Sequence, residues 1–483
     1  MLFTSLQYAL FLLFIYIIYW GVLARYTKGQ NWLILFGSYF FYAQWDYRFL
    51  GLLIISTLLN FLVGELIYKN KWEKGWMIVG LMLNLGILGL FKYFNFFITS
   101  FHDLATHLGL SVNVSLLNVI LPIGISFYTF HGLSYILDIY YKRIQAEKSF
   151  LNYSIFTSFF PLLIAGPIER ATTLLPQVKR SKHLDYSKHI DGLRQILWGL
   201  FKKIVIADNC AYYANQIFSS SDTASGSSLL WGAFCFSIQI YADFSAYSDI
   251  ATGSARLLGY DLIKNFNYPY FSRDIAEFWR RWHISLSSWF RDYVYIPLGG
   301  SACGRMLQVR NTFIIFIISG FWHGANWTFI IWGVLNALYI LPLMLLKSNR
   351  NNLSIVAAGR MFPSLYELFQ MILTFFMAMI GWIFFRAETV MQGVHFIQKI
   401  FSPSILTLPE PRFLYGEFHS TTYIVLLLIF FFSLEWIGRE KNYAIESILS
   451  NKPRVYRFGF YYCLIFLLIV FSSEPQEFIY FQF

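Results

Sequence analysis

Residues 313–333 read FIIFIISGFWHGANWTFIIWG, and this stretch decides what kind of protein the chain is. It places two polar residues, His323 and Asn326, inside an apolar run long enough to be surrounded by lipid. A polar group at membrane depth is costly unless it faces the protein interior or a watery cavity, so such residues mark functional sites. At helical spacing His323, Asn326 and Trp327 would share one face. The alternative is a buried histidine that a neighbouring helix satisfies.

The composition extends this interpretation to the whole chain. Of 483 residues, 57% are hydrophobic, 21% are aromatic and only 13% are charged. Soluble domains carry about a quarter charged residues, so the chain is expected to be an integral membrane protein. Its apolar runs are long, whereas the strands of a membrane barrel alternate over about ten residues. We expect an all-α, polytopic fold of about eleven spans with re-entrant or interfacial helices, forming a single membrane domain over residues 1–483.

The charge pattern fits a membrane protein better than a nucleic-acid-binding one. The net charge is +11, but the basic residues lie mainly in short segments between apolar runs. Such segments orient membrane proteins, so the clusters around Lys28 and Lys71 are expected to be cytoplasmic and the N-terminus outside. The four cysteines, at positions 210, 235, 303 and 463, lack the spacing of a zinc site or a disulfide framework. No metal site and no nucleic-acid partner are therefore predicted.

Two further segments place polar or helix-breaking residues in apolar surroundings. Residues 159–167 read FFPLLIAGP, and broken helices at membrane depth are tolerated where they line a cavity. Residues 241–249 read YADFSAYSD and extend an apolar helix with two aspartates. These carboxylates fit either a cavity wall or an ordinary capped helix end.

The most polar region of the chain is residues 272–300. Its apolar and aromatic residues between positions 275 and 293 fall on one helical stripe, with His283 at the margin. The opposite face carries Arg280, Arg281 and Arg291. This pattern predicts one helix lying at the membrane interface. The turn YIPLGG that follows, at residues 295–300, could bring backbone amides close to a ligand.

The motifs together resemble the membrane-bound O-acyltransferase (MBOAT) family, in its bacterial alginate O-acetylase-like branch. The resemblance covers nearly the whole chain in the expected order. The segments that carry it are LPIGISFY (121–128), AGPI (165–168), DFSAYSD (243–249), FWRRWHISL (278–286), RDYVYIPLGG (291–300), FWHGANW (321–327), GWIFFRA (381–387) and FIYFQF (478–483).

The resemblance implies a ring of helices around a central tunnel that is reached from both membrane faces. It also implies transfer of an acetyl group from cytoplasmic acetyl-CoA, a substrate rather than a tightly bound cofactor, to hydroxyls of an extracytoplasmic polysaccharide. That acceptor would be an alginate-like exopolysaccharide or a cell-wall glycan, reached through an extracytoplasmic SGNH-type acetyltransferase as partner. The expected location is the bacterial cytoplasmic (inner) membrane.

The resemblance also assigns site residues. The family's essential histidine corresponds to His323, which would act as the general base, and its second recurrent histidine corresponds to His283. An imidazole suits a general base because it titrates near the operating pH. Asn326 would orient that ring or polarise the thioester carbonyl.

The three arginines have two candidate ligands. Arg280, Arg281 and Arg291 would contact the phosphates of CoA, and membrane lipid headgroups are the competing ligand.

A non-catalytic transporter or flippase for a polysaccharide or lipid-linked intermediate is the alternative function. It would also need broken helices and buried polar groups. Transporters of this kind commonly show paired halves with discontinuous helices in corresponding positions. The sequence shows no such pairing.

Overall fold

The computed structural model describes residues 1–117, 120–164, 166–413, 420–472 and 476–479. The α-helices of this part are α1 (Leu6–Ile17), α2 (Thr27–Ala43), α3 (Tyr47–Lys69), α4 (Glu73–Leu88), α5 (Phe94–His107), α6 (Ile125–Tyr140), α7 (Phe150–Ser158), α8 (Ala171–Lys179), α9 (Tyr186–Leu200), α10 (Asp208–Ser219), α11 (Gly226–Leu257), α12 (Ile275–Arg281), α13 (Ile284–Phe290), α14 (Arg305–His323), α15 (Trp327–Leu345), α16 (Leu365–Arg386), α17 (Val390–Ile400), α18 (Thr421–Ile437) and α19 (Arg454–Val470). π-Helical turns cover Ile18–Val22, Gly89–Tyr93, Phe201–Ala207 and Arg291–Tyr295, and 3₁₀ turns cover Pro269–Phe271, Pro403–Leu406 and Pro411–Phe413. The all-α fold class is confirmed.

Several helices are long and apolar enough to cross a membrane, whose hydrocarbon core requires about 20 residues. In the described residues they are Tyr47–Lys69, Glu73–His107, Gly226–Leu257, Trp327–Leu345 and Leu365–Arg386. Two shorter apolar helices cover Leu6–Val22 and Thr421–Ile437. The chain is a multi-pass membrane protein, and the number of about eleven spans stays a prediction.

The chain divides into two compact units. Unit 1 comprises residues 1–188 and 254–263, and unit 2 comprises residues 189–253 and 264–483. The single domain expected over residues 1–483 stays a prediction. The residues proposed for catalysis and for binding CoA all lie in unit 2.

Unit 1 satisfies its buried polar groups between neighbouring helices. Asn84 on α4 donates to the Asn60 amide oxygen on α3 at 2.6 Å, and Asn60 donates back at 3.2 Å. Such paired amides satisfy each other where water is excluded. In the same unit α7 ends at Ser158, and residues 160–163 form buried turns. The interruption of the helix that the two prolines predict is confirmed on the described residues.

Unit 2 contains a buried ionic cluster on the long helix α11. Asp243 forms an ion pair with Lys203 at 2.9 Å, and Lys203 also contacts Asp208 at 2.8 Å. Beside it, Lys202 pairs with Asp249 at 2.6 Å. Helix α11 continues beyond both of its aspartates, so the capped-helix-end alternative is wrong. Buried charges persist only when paired in this way, because each ion has lost its hydration.

The prediction of one interfacial helix between residues 275 and 293 is wrong. Helix α12 ends at Arg281 and α13 begins at Ile284, with His283 between them at φ 43°. The backbone of a neighbouring loop takes the hydrogen bonds that a continuous helix would make. The Ile284 amide donates to the Asn265 carbonyl at 2.9 Å, and the Asn267 amide donates to the Arg281 carbonyl at 2.9 Å. The expected stripe is therefore split into two short, largely buried helices.

Candidate active site

The FWHGANW segment does not lie in one helix but contains a tight connection, residues 324–326, between two helices. Helix α14 ends at His323 and α15 begins at Trp327, so the expectation that these residues and Asn326 share one helical face is wrong. The physical reason is the N-cap of α15, where the Asn326 side chain accepts from the Thr328 amide at 3.0 Å. Asn326 also donates to the Glu388 carbonyl at 2.9 Å. Its predicted contact with the His323 ring stays a prediction.

Glycines allow α14 and α15 to approach each other at backbone distance. A Cβ atom added to Gly320 would lie 2.1 Å from the Phe329 carbonyl oxygen. A Cβ atom on Gly333 would lie 2.3 Å from the Phe316 carbonyl oxygen. Small residues at such crossings let membrane helices pack closely. This packing fixes the end of α14, and with it the position of His323.

Aromatic rings surround His323. The side chain is buried, and its ring centroid lies 4.7 Å from that of Trp322, 5.2 Å from Trp332 and 5.1 Å from Phe385. Rings on several sides restrict the orientation of the imidazole. A histidine held in a fixed orientation is suited to proton transfer with a bound reactant.

His283 occupies the left-handed break between α12 and α13. Its Nδ1 lies 3.1 Å from the Asn265 amide oxygen, and its Nε2 is buried without a hydrogen-bond partner in the described residues. The Phe244 ring meets the imidazole edge-on at 4.7 Å. Burial lowers the pKa of His283 to about 3, so the ring is neutral at physiological pH.

The two histidines line one cavity of about 160 Å³. Trp322 contacts both of them, since its ring centroid also lies 6.1 Å from that of His283. Ser287 and Ser319 add hydroxyl groups to the wall. The remaining lining side chains are apolar or aromatic, and they are Trp279, Trp282, Leu286, Phe290, Ile315 and Phe316. A mostly apolar pocket with a few convergent polar groups is the usual form of a small-molecule site.

The three arginines expected to bind CoA phosphates lie outside the described lining of this cavity. Arg281 is buried and donates to Glu277 at 2.8 Å, and Arg273 reaches the same carboxylate at 3.1 Å. Arg280 is exposed, but its guanidinium donates to the carbonyls of two residues in the loop after α15, Asn349 and Asn352. These contacts give Arg281 and Arg280 structural roles, and their contact with CoA stays a prediction.

Arg291 differs from the other two arginines. Its side chain is 63% exposed and forms an ion pair with the adjacent Asp292 at 2.8 Å. An exposed pair of this kind contributes about 0–1 kcal/mol. Arg291 is therefore the arginine of the three that can turn to an anionic ligand at least cost.

Asn265 is a site residue that the sequence does not predict. It precedes His283 by 18 positions and lies in a loop without helical periodicity. The short sequence NFNYPY around it could have indicated a structured turn before the proline. Nothing in that pattern indicates contact with a histidine.

The apolar helices and a mostly apolar cavity lined by two histidines are typical of a membrane-embedded enzyme that binds a small molecule. Residues 140–386, which include both histidines, match the model of MBOAT, the membrane-bound O-acyltransferase family. The chain belongs to this family and is an acyltransferase. Membership decides against the non-catalytic transporter or flippase.

Named relatives extend the match beyond the family model. The chain is 38% identical to the probable alginate O-acetylase of Pseudomonas aeruginosa, over 79% of this chain and 72% of the relative. It is 36% identical to the peptidoglycan O-acetyltransferase of Helicobacter pylori, over 76% of this chain and 74% of the relative. A more distant similarity, 29% over 46% of this chain and 58% of the relative, is to the teichoic acid D-alanyltransferase of Bacillus subtilis. The resemblance found in the sequence motifs is confirmed.

Proposed function

We propose that the protein transfers acetyl groups from cytoplasmic acetyl-CoA to hydroxyls of an extracytoplasmic polysaccharide, from a position in the bacterial inner membrane. The observation that carries the proposal is the mostly apolar cavity lined by His323 and His283. The names of two similar proteins, an alginate O-acetylase and a peptidoglycan O-acetyltransferase, support an acetyl group and a glycan acceptor. An extracytoplasmic SGNH-type transferase would be the partner that carries the acetyl group onward.

In the proposed reaction His323 is the general base. Its imidazole removes the proton from the acceptor hydroxyl as the hydroxyl oxygen attacks the thioester carbonyl carbon. A carbon–oxygen bond forms, the carbon–sulfur bond breaks, and the imidazolium returns the proton to the departing thiolate. The products are an acetyl ester and CoA with a free thiol, so the atoms and electrons balance without a redox partner.

The size of the cavity supports a short acyl group. Its volume of about 160 Å³ is close to that of engineered protein cavities of about 150 Å³ that hold a benzene molecule. An acetyl group occupies less volume than benzene, so it fits a cavity of this size. A long fatty acyl chain needs several times this volume. The size of the site therefore favours acetyl over palmitoyl donors.

Purified protein in nanodiscs with radiolabelled acyl-CoA donors tests this function. We expect labelled acetyl-CoA to give labelled ester on a soluble oligosaccharide acceptor or to release free CoA, and palmitoyl-CoA to react much more slowly. Equal rates with both donors would contradict the acetyl assignment. No turnover of any CoA thioester, with acceptors from several glycan classes and the partner transferase present, would contradict the donor class.

The electrostatic part of the proposal rests on Arg291. Its exposed guanidinium is available for a CoA phosphate, and lipid headgroups are the competing ligand. Measuring the KM for acetyl-CoA in nanodiscs of neutral and of anionic lipid distinguishes the CoA phosphate from the lipid headgroup as the ligand of Arg291. An acetyl-CoA KM that rises in Arg291→Gln in both lipids supports the phosphate contact, whereas an effect confined to anionic lipid supports the headgroup.

A further inference from the structure

The side chain of Asn265 makes hydrogen bonds at both ends of its amide. Its oxygen lies 3.3 Å from the Ser285 backbone nitrogen, 2.9 Å from the Ser285 hydroxyl and 3.1 Å from His283 Nδ1. Its nitrogen donates to the Ser248 hydroxyl at 3.1 Å. All four of these residues are buried. This loop residue thus connects α11 to the break that carries His283.

These contacts fix which end of the amide faces His283. The Ser285 backbone N–H can only donate, so the group opposite it must be the Asn265 oxygen. Exchanging the amide oxygen and nitrogen would oppose two donors inside a buried site, which costs the desolvation of both. The Ser248 hydroxyl can rotate to accept from the amide nitrogen and does not compete with this arrangement.

The orientation of Asn265 determines the tautomer of His283. The amide oxygen accepts only, and the Ser285 hydroxyl, 3.4 Å from Nδ1, already donates its proton to that oxygen, so Nδ1 carries the proton of the neutral imidazole. The other nitrogen, Nε2, then has a lone pair and no hydrogen. This Nε2 is buried without a partner in the described residues, on a side chain that lines the cavity. A buried acceptor left open in this way fits a donor that arrives with a substrate.

We propose that Asn265 is a positioning residue of the acyl transfer, holding His283 with its proton on Nδ1 so that Nε2 accepts a hydrogen bond from a bound reactant. The inference rests on the proposed function and adds a second acceptor to the site beside His323. The reactant must bring an N–H or O–H group. The amides in the arm of the CoA donor and a second, non-reacting hydroxyl of the acceptor both supply this chemistry, since the attacking hydroxyl gives its proton to His323.

The first test is spectroscopic and does not depend on turnover. Protein labelled with ¹⁵N-histidine is compared with His283→Gln to assign the His283 signals, whose two nitrogens differ strongly in shift according to protonation. We expect the proton on Nδ1 in the wild type and in Asn265→Asp, because a carboxylate oxygen also accepts. In Asn265→Leu we expect a mixture of tautomers. A wild-type proton on Nε2 would overturn the proposal.

The second test is kinetic and uses a matched control from the same loop. Asn265→Leu should lower kcat/KM by about 10–100-fold, the loss seen when a partner that orients a metal-bound histidine is removed. Asn265→Asp should retain most of the activity and shift the acidic limb of the pH profile to higher pH. The new carboxylate favours the imidazolium, whose Nε2 has lost its lone pair. Asn267→Ala should behave as wild type, because the Asn267 side chain contacts Lys264 instead.

The kinetic outcomes also identify the reactant. A KM effect confined to the acyl donor assigns the Nε2 contact to the CoA arm, and one confined to the acceptor assigns it to the hydroxyl. Unchanged kinetics in Asn265→Leu would overturn the proposal. If that variant does not fold, an unshifted pH profile in Asn265→Asp overturns it instead. A wild type with the expected tautomer but no acyl transfer would contradict the proposed function and leave the tautomer assignment standing.

Discussion

Replacing Arg281 by glutamine separates a structural arginine from a ligand-binding one. Arg281 is buried and donates to Glu277 through two nitrogens, at 2.8 Å and 3.1 Å. Removing one partner of a buried ion pair costs about 3–5 kcal/mol because the remaining charge stays desolvated. Arg273 still reaches Glu277 in the variant, so we expect the lower end, about 3 kcal/mol. The exposed pair of Arg291 predicts a loss of at most about 1 kcal/mol for Arg291→Gln.

The assay is thermal unfolding of the purified variants in one detergent, with the KM for acetyl-CoA measured on the folded fraction. Arg281→Gln should unfold at a clearly lower temperature, and the KM of its remaining folded fraction decides whether Arg281 also contacts CoA as the sequence predicts. Arg291→Gln should unfold with the wild type and show a raised KM. The structural role of Arg281 is refuted if Arg281→Gln keeps the wild-type midpoint and raises the KM.

Three further outcomes are expected. Gly320→Ala forces a methyl group against a backbone carbonyl of α15, so unfolding measurements should show a loss of about 1–3 kcal/mol or more and turnover should fall as the end of α14 is displaced. An unchanged unfolding midpoint would contradict the close helix contact. Lys203→Met leaves two buried aspartates without their shared lysine and should lower the free energy of unfolding by about 3–5 kcal/mol. The thermal unfolding midpoint should fall and recover partly at acidic pH, where the carboxylates take up protons, and an unchanged midpoint would contradict the buried ion cluster. Reporter fusions after Lys28 and after Lys71 should both report the cytoplasm, and an N-terminal fusion should report the outside; the opposite pattern would place the CoA side on the wrong face.

The sequence predicts the class of fold because the amino-acid composition shows that the chain is surrounded by lipid. A chain with 13% charged residues and long apolar runs can satisfy its backbone in lipid only as helices, and the structure is helical. The position of His323 inside an apolar run is also visible in the sequence. Both conclusions need only the local order of residues.

The breaks in the helices cannot be predicted from local order. The spacing of apolar residues between positions 275 and 293 does not distinguish one continuous helix from two short consecutive helices. What decides is His283, whose positive φ is supported by backbone hydrogen bonds to a loop 18 residues earlier. Asn326 shows the same effect, because its amide caps α15 and ends the helix that the apolar run predicts. Hydrogen bonds from residues elsewhere in the fold end these helices, and the periodicity of the sequence does not reveal such bonds.

The residues that support the histidines are equally hidden from pattern analysis. Asn265 is an ordinary loop asparagine in the sequence, and only the fold brings it to His283. Arg281 appears in the sequence as a surface charge opposite an apolar stripe, but the fold buries it against Glu277. Pairing across elements depends on packing, which the spacing along the chain does not contain.

The matched variants for the central claim are His323→Ala, His323→Gln and His395→Ala. His395 is an exposed histidine on α17 and serves as the control for histidine removal as such. A positioned general base contributes about 10²–10⁴-fold to the rate, or roughly 3–5 kcal/mol of barrier. Glutamine can hydrogen-bond but cannot take the proton, so both His323 variants should fall by this factor. His283→Ala should cost less, because that ring accepts a hydrogen bond and does not carry the transferred proton.

The most direct test is the acetyl transfer rate of purified His323→Ala, measured together with its affinity for acetyl-CoA. We predict that transfer falls by at least about 10²-fold while acetyl-CoA binds with near-wild-type affinity, because the nucleotide end of the donor lies away from the base. His395→Ala should retain the wild-type rate. Near-normal transfer by folded His323→Ala would show that the chemistry takes place elsewhere and would contradict the assignment.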